Sequence, residues 1–199
     1  FPLAQGEKIP AIKGGHGCKD GTTNADIIRR WARAYPGANI GLSCGDLSGG
    51  IVVVDVDPRH GGDRSIAGLA LKGRCFPPGP RSRTGNGGEH LFFRHTGKLS
   101  NSAGKLGAGL DIRSTGGYVV APPSWTKKTD QGPGGYYEWV VRPEGHIPRL
   151  PIWVATLLKP REVKPYVAPK TMKEGKDRLQ GLVDFVAKAP AGQRNTSAF

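Results

Sequence analysis

The sequence predicts a mixed α+β fold built from short strands and short helices. Glycine and proline, with 31 and 17 of the 199 residues, approach a quarter of the chain, which is too much for a helical bundle and typical of a loop-rich fold. Residues 51–54 are four branched aliphatic residues in a row, which predicts a fully buried strand. Between Ile27 and Ala34 apolar residues recur at helical spacing, so both kinds of element are expected.

The remaining elements follow from local signals along the chain. The first helix should begin after Thr23 or Asn24, which can cap its amides, and end at Pro36-Gly37. Gly116-Gly117 predicts a hairpin between the strands on either side of it. Further strands are predicted at residues 39–42, 89–95, 109–113, 118–121 and 136–141, and short helices at residues 65–72 and 151–158.

We expect residues 1–160 to form one domain. Beyond Lys159 the chain becomes rich in proline and lysine with little periodicity, which predicts a linker at residues 161–178. Residues 179–199 begin with a helical pattern and are expected to be the start of a truncated helical region. Since Phe1 is neither Met nor part of a signal-peptide pattern, we expect the chain to be a piece of a longer protein.

Charge and cysteine content narrow the class of protein. Lysine and arginine number 29 against 16 acidic residues, and this formal charge of +13 favours a polyanionic partner over a merely soluble basic surface. No apolar run reaches the length of a membrane span, and no basic amphipathic helix indicates a membrane surface. Cys18, Cys44 and Cys75 form no C-x-x-C pair, so we expect reduced thiols in a cytosolic setting.

Asp55 and Asp57 are the first candidate functional residues. They come at the end of the buried run, and alternation along a strand would place both side chains on one face. Two such acids repel each other unless a cation lies between them, and carboxylate oxygens suit Mg²⁺ or Mn²⁺. The alternative is a pair of exposed strand-end acids that bind backbone amides. The Walker-type ATPase reading fails because no G-x-x-x-x-G-K-[ST] motif precedes them.

Asp111 is the candidate third carboxylate. Leu110 and Ile112 should face the core, which leaves Asp111 and Arg113 on the opposite face. Three carboxylates can hold the two metal ions that stabilise the attacking and leaving oxygens in phosphoryl transfer. Considered alone, Asp111 would be an ordinary surface acid.

His90 follows a glycine-rich segment, residues 84–88, whose backbone can approach a bulky ligand and offer amides to phosphate. On its strand face His90 could bond a triphosphate oxygen or a leaving group, and the alternative is a core histidine. Tyr118 could stack on a sugar or base, or pack in the core. Basic residues in or beside glycine-bearing stretches could neutralise phosphate charge, with Arg113 the strongest of them: Lys8, Lys13, Lys19, Arg81, Arg83, Lys105 and Arg113.

Three motifs occur in order: GGIVVVDVD at residues 49–57, TGNGGEHLFF at 84–93 and GLDIRSTGGYVVAPPS at 109–124. This set resembles the bifunctional DNA primase/polymerase N-terminal domain of the archaeo-eukaryotic primase superfamily, whose signature is D-x-D, s-x-H and h-x-D. Asp55 and Asp57 match the first motif, His90 the second and Asp111 the third. The similarity spans about residues 1–160.

The resemblance implies an RRM-like catalytic sheet, antiparallel or mixed, with helices and a packed N-terminal α/β unit. It implies that Asp55, Asp57 and Asp111 hold two Mg²⁺ or Mn²⁺ ions. His90 would contact the phosphates of the incoming nucleotide. The resemblance further implies nucleotide-binding roles, near the triphosphate or its sugar, for Arg113, Lys105, Tyr118 and Gly88.

The sequence-based hypothesis is a DNA primase/polymerase that copies a single-stranded DNA template with dNTPs or NTPs. By family habit, the parent protein would carry a helicase region and act in the cytoplasm of a bacterium, as a host, plasmid or phage replication protein. Two alternatives are a non-catalytic module that binds single-stranded nucleic acid and a metal-dependent nuclease. Nucleotide preference, primer-independent initiation, template preference, origin and oligomeric state stay open.

Overall fold

The structure, a computed structural model, describes residues 1–130 and 132–158. This part of the chain contains three α-helices, three short 3-10 helices and ten short strands. The fold is therefore mixed α+β, as the sequence predicts. The helices are α1 (Ala25–Ala34), α2 (Gly62–Ala70) and α3 (Ile152–Leu158). The strands are β1 (Pro2–Leu3), β2 (Asn39–Ser43), β3 (Ile51–Val56), β4 (Arg81–Arg83), β5 (Glu89–Arg94), β6 (Leu110–Arg113), β7 (Tyr118–Ala121), β8 (Trp125–Thr126), β9 (Gly135–Tyr136) and β10 (Glu138–Val141).

The main sheet has five strands in the order β10-β4-β5-β3-β6, and every neighbouring pair in it is antiparallel. Its most buried strand is β3, as the aliphatic run predicts, because Val52, Val53 and Val54 are all at most 1% exposed. The finer RRM-like description of this sheet stays a prediction.

The two faces of the main sheet are covered differently. On one face, Val52 and Val54 of β3 pack with Phe93, with Leu69 of α2 and with Val154 of α3. Alternation sends Val53 and Asp55 to the other face. There Val53 and Phe92 pack with Val119 of β7, which belongs to a second, three-stranded sheet, and with Cys44, which directly follows β2 of that sheet. The second sheet thus covers the Val53 end of this face.

The predicted hairpin between the strands around Gly116-Gly117 is wrong. β6 pairs with β3, whereas β7 pairs with β2 in the three-stranded sheet β1-β2-β7. The outer edge of β6 is already occupied, because Ser102 and Ile112 exchange two backbone hydrogen bonds of 3.0 and 2.8 Å. The chain therefore crosses from one sheet to the other at residues 114–117.

Most other elements agree with the sequence-based expectations. Asn24 caps α1, since its Oδ1 accepts hydrogen bonds from the amides of Asp26 and Ile27 at 2.9 and 3.2 Å. α2 begins at Gly62, three residues before the predicted start. The single strand predicted at residues 136–141 is two strands, and Tyr137 between them donates its amide to Ser124 O at 2.7 Å.

Three further expectations concern the C-terminal residues, the cysteines and membrane-spanning helices. The predicted linker and C-terminal helical region, at residues 161–178 and 179–199, lie outside the described residues. All three cysteines are free thiols. Within residues 1–130 and 132–158 no helix is long and apolar enough to span a membrane.

Leu110 tests the packing of β6, which carries Asp111. Leu110 is 0% exposed, so Leu110→Ala should lower the free energy of unfolding by about 2–5 kcal/mol through lost burial and a cavity. Leu71 is 91% exposed, and Leu71→Ala should change it by less than about 0.5 kcal/mol. Urea unfolding followed by circular dichroism measures both, and equal losses would contradict the assigned packing.

Candidate active site

One row of side chains runs across the main sheet on its Asp55 face. In the strand register Ser82 of β4 lies opposite His90 of β5, His90 lies opposite Asp55 of β3, and Asp55 lies opposite Asp111 of β6. Residues directly opposite each other on antiparallel strands point to the same face, with Cβ atoms about 4.5–5.5 Å apart. The register therefore brings together three of the four motif residues, Asp55, His90 and Asp111.

Asp55 occupies the centre of this row and is poorly solvated. Burial raises the pKa of its carboxyl group to about 6, and the nearby charge of Asp111 adds to the rise while Arg113 opposes it. His90 Nε2 lies 3.7 Å from Asp55 Oδ1. An ionised Asp55 is thus costly unless positive charge approaches it.

Two hydrogen bonds from nearby residues orient the Asp111 carboxylate. Its Oδ1 accepts a hydrogen bond from the backbone amide of Gly104 at 3.2 Å, and its Oδ2 accepts one from Arg113 Nη2 at 3.1 Å. Asp111 and Arg113 share a face, as alternation predicts. The carboxylate is therefore oriented before any ligand binds.

Asp57 differs from Asp55 in both position and partners. β3 ends at Val56, and Asp57 caps the following 3-10 turn, with Oδ1 accepting from the Arg59 amide at 3.0 Å. Its Oδ2 lies 2.7 Å from Arg59 Nη2 and 3.0 Å from His60 Nδ1. The hydrogen bond from Arg59 is the main reason that the pKa of Asp57 falls to about 2. Asp57 therefore binds a backbone amide, which is the role that the alternative to metal binding gives to the two acids.

Two cavities formed by described residues share Asp55 and His90 in their lining. The larger, about 320 Å³, is called here the Arg113 cavity, and the smaller, about 50 Å³, the Asp57 cavity. Lys8, Asp55, His90 and Tyr137 line both cavities. A larger groove of about 830 Å³ lies on the opposite, Phe93 face of the sheet and has none of the motif acids in its lining.

His90 is a buried, neutral imidazole. The residue is only 4% exposed, and burial, assisted by the charges of Lys8 and Arg113, lowers its pKa to about 3. Its ring lies 5.9 Å from that of Tyr137 and 6.2 Å from that of Phe92. At neutral pH His90 can therefore offer a hydrogen bond to a ligand, but not a full positive charge.

The other predicted nucleotide-binding residues lie at different distances from the row. Arg113 and Tyr118 line the Arg113 cavity, and Tyr118 Oη donates a hydrogen bond to Lys8 O at 2.8 Å. Gly88 lines the Asp57 cavity. Lys105 is exposed in the turn next to Gly104 and lines neither cavity, so its assignment stays a prediction.

Some residues in and around the site carry little or no distinguishing signal in the sequence. Lys8 is one of several basic residues that could neutralise phosphate charge, and only the fold shows that it lines both cavities. Tyr137 had no signal beyond a strand pattern, yet it is 3% exposed, and burial followed by the charge of Asp55 raises its pKa to about 12. Ser82 enters the row only through the β4–β5 register, which is not local in sequence.

Comparison with known protein families bears on this arrangement. The profile of the family described as "Bifunctional DNA primase/polymerase, N-terminal" matches residues 1–153. The chain belongs to this family. The match covers all of the row and both cavities, and it confirms the resemblance on which the motif assignments depend. No curated protein matches the chain.

Members of this primase/polymerase family are generally metal-dependent, and Mg²⁺ and Mn²⁺ prefer carboxylate oxygens as ligands. Asp55 fits, because a buried carboxylate with a raised pKa and an acid opposite it favours a bound cation. Asp57 and Asp111 also offer oxygen donors, but each carboxylate is held by an arginine. Within residues 1–130 and 132–158 no three acidic, histidine or cysteine side chains converge as they stand. The donor chemistry fits, and the arginine pairs must loosen for all three acids to bind.

The raised pKa of Asp55 predicts how its charge affects stability. The unfolded carboxyl group ionises near pH 4 and the folded one near pH 6, so the folded state holds the extra proton in between. Stability should therefore fall as pH rises through this window, by about 3 kcal/mol, and stay lower above it. Asp55→Asn removes this effect and should be more stable than wild type at pH 7.5, but not at pH 4.

Urea unfolding at the two pH values in a chelating buffer measures this difference. Asp63→Asn, on the exposed surface of α2, is the matched control and should keep the wild-type pH dependence. A wild type and an Asp55→Asn variant with parallel pH profiles would contradict the proposed burial of charge.

Gly88 tests the close approach of β5 to β3. A Cβ built on Gly88 would lie 2.4 Å from Val56 O, so Gly88→Ala must push the two backbones apart next to the Asp57 cavity. We expect a lower melting temperature and weaker nucleotide binding. Gly68→Ala is the control, because a Cβ there meets nothing within 4 Å and α2 should gain stability. Thermal unfolding and nucleotide titration compare the two, and a harmless Gly88→Ala would contradict the packing.

Proposed function

We propose that this chain is the catalytic domain of a DNA primase/polymerase, which transfers nucleotides to a growing strand on a single-stranded DNA template. The observation that carries the proposal is the row of His90, Asp55 and Asp111 across one sheet face. The chain belongs to the primase/polymerase family. His90, Asp55 and Asp111, which match residues of the three signature motifs, are brought together by the strand register.

The electrostatics of the Arg113 cavity suit a nucleoside triphosphate. Arg113 and Lys8 both line it, and both act on the pKa values of Asp55 and His90. Two cations at a cavity wall can neutralise triphosphate charge, and the guanidinium of Arg113 can bind phosphate oxygens in a bidentate manner. We therefore assign the triphosphate to the Arg113 cavity, with His90 as a neutral hydrogen-bonding group beside it.

The three acids have complementary tasks in the proposed reaction. Asp55, Asp57 and Asp111 would hold Mg²⁺ or Mn²⁺. Such ions, when bound, lower the pKa of an attacking 3′-hydroxyl and neutralise a pyrophosphate leaving group. Arg113 would exchange its bond to Asp111 for one to the triphosphate, and Arg59 would likewise release Asp57. Tyr118 and Tyr137 would form apolar walls for the sugar or base.

The template is expected to be single-stranded nucleic acid. The formal charge of +13 favours a polyanion, and binding should weaken steeply as salt rises. Lys105 and Gly88 remain part of the proposed nucleotide site. The helicase region, the cytoplasmic location and a bacterial, plasmid or phage origin rest on the family alone.

Two other functions would use the same surface. A non-catalytic binding module would bind the template but incorporate no nucleotide. A metal-dependent nuclease would use the same acids to shorten a strand. The basic pair of Arg113 and Lys8 beside the row favours the polymerase, because a triphosphate brings more negative charge than a single phosphodiester.

Primer extension with Mg²⁺ or Mn²⁺, labelled nucleotides and a single-stranded template tests the proposal. Wild type should lengthen a labelled primer, and Asp55→Asn should reduce extension by at least about 1,000-fold while the protein stays folded, as is typical for loss of a catalytic group. Arg113→Met should mainly raise the KM for nucleotide, because it removes a triphosphate contact.

Asp63→Asn is again the matched control and should extend primers like wild type, because Asp63 lies in α2 and lines the groove on the opposite face. Mn²⁺ should raise the melting temperature of wild type but not of Asp55→Asn. Template binding without incorporation would support the binding module, and a shortened strand would support the nuclease. Full extension by Asp55→Asn would overturn the site assignment.

A further inference from the structure

Two buried polar atoms, on residues that are neighbours in the row, are unsatisfied. Within residues 1–130 and 132–158, Ser82 Oγ and His90 Nδ1 have no hydrogen-bond partner, and neither atom is accessible to solvent. Ser82 is 0% exposed and His90 is 4% exposed. A buried polar group without a partner is costly, so each such pair of atoms in a native protein calls for an explanation.

The strand register makes these two side chains neighbours. Ser82 and His90 are direct partners on the antiparallel strands β4 and β5, so both point to the same sheet face. Trp139 of β10 is the cross-strand partner of Ser82 on its other side. Directly opposite residues have Cβ atoms about 4.5–5.5 Å apart, and a serine hydroxyl can take any of three staggered rotamers, so a bond from Ser82 to the His90 ring needs no change of register.

The surroundings of the other ring nitrogen decide which way the hydrogen bond runs. His90 Nε2 faces Asp55, at 3.7 Å from Oδ1, and His90 lines the cavity assigned to the triphosphate. Because the Asp55 carboxylate is an acceptor on that side, a proton on Nε2 faces an acceptor there. A neutral imidazole carries only one ring proton, so Nδ1 must then be the acceptor and the hydroxyl the donor.

We propose that Ser82 is a positioning residue for His90: its Oγ–H donates a hydrogen bond to Nδ1 and thereby keeps the ring proton on Nε2. Nε2–H then points to the Asp55 side of the ring and can donate to a phosphate oxygen of the nucleotide. Ser82 touches no substrate and acts only through His90. The part that concerns the nucleotide rests on the proposed function, whereas the tautomer of His90 does not.

Nitrogen NMR of the histidine ring measures the tautomer directly, because protonated and unprotonated ring nitrogens have well-separated ¹⁵N shifts. In the wild-type protein, labelled on histidine, the His90 signals should report a proton on Nε2 and an unprotonated Nδ1. Assignment by a His90→Gln variant identifies the signals. A wild-type ring with its proton on Nδ1 would overturn the proposal without any variant of Ser82.

Variants of Ser82 then test the cause. Ser82→Ala removes the donor and should shift the His90 signals towards a mixture of tautomers, with about a tenfold rise in the KM for nucleotide and a smaller change in kcat. Ser82→Thr keeps a hydroxyl and should restore the wild-type signals and most of the nucleotide affinity. Unchanged signals in Ser82→Ala would also overturn the proposal.

Thr126→Val provides a matched control. Thr126 Oγ1 is likewise buried and without a partner among the described residues, but Thr126 lies in β8, outside the main sheet. Its nearly isosteric replacement should leave the His90 signals and the KM unchanged. If wild type incorporates no nucleotide, the proposed function fails while the NMR result still stands. If wild type is active and Ser82→Ala matches it in signals and KM, the inference about Ser82 fails alone.

Discussion

The pairing of β3 with both β5 and β6 is the constraint on which the candidate site depends. It places Asp55 opposite His90 on one side and Asp111 on the other. A slip of one residue would turn these side chains to the opposite face of the sheet. The valines of β3 prevent such a slip, since Val52 and Val54 are buried against α2 and α3 while Val53 is buried against the second sheet. The apolar packing therefore sets the position of the acids.

The two acids of the D-x-D motif have opposite electrostatic environments although only one residue separates them. Burial raises the pKa of Asp55 to about 6, whereas the Arg59 side chain lowers that of Asp57 to about 2. The difference follows from the end of the strand at Val56, because the next residue enters a turn that supplies an arginine. Asp57 is therefore neutralised by a neighbouring cationic side chain, whereas the Asp55 carboxylate is half-buried without a hydrogen-bonded cation of its own among the described residues.

Much of the site could be predicted from the sequence, because alternation and apolar runs are local signals. The buried β3, the shared face of Asp111 and Arg113, and the Asn24 cap all follow from a few neighbouring residues. The failed hairpin shows the limit. Nothing near Gly116 reveals that Ser102 occupies the edge of β6 and sends β7 to another sheet. The roles of Tyr137, Lys8 and Ser82 likewise depend on contacts between segments far apart in the chain.

The crossing of the chain at residues 114–117 has a consequence for how the Arg113 cavity can vary. Arg113 belongs to the main sheet and Tyr118 to the second sheet, so the lining of one cavity is carried by two separate sheets. The spacing of those sheets is set by the apolar cluster between them, which includes Cys44, Phe92 and Val119. Bulkier or smaller side chains at Cys44 or Phe92, neither of which lines the cavity, would widen or narrow its opening without replacing any residue of the lining. The size of the molecule that fits is thus adjustable from residues outside the cavity.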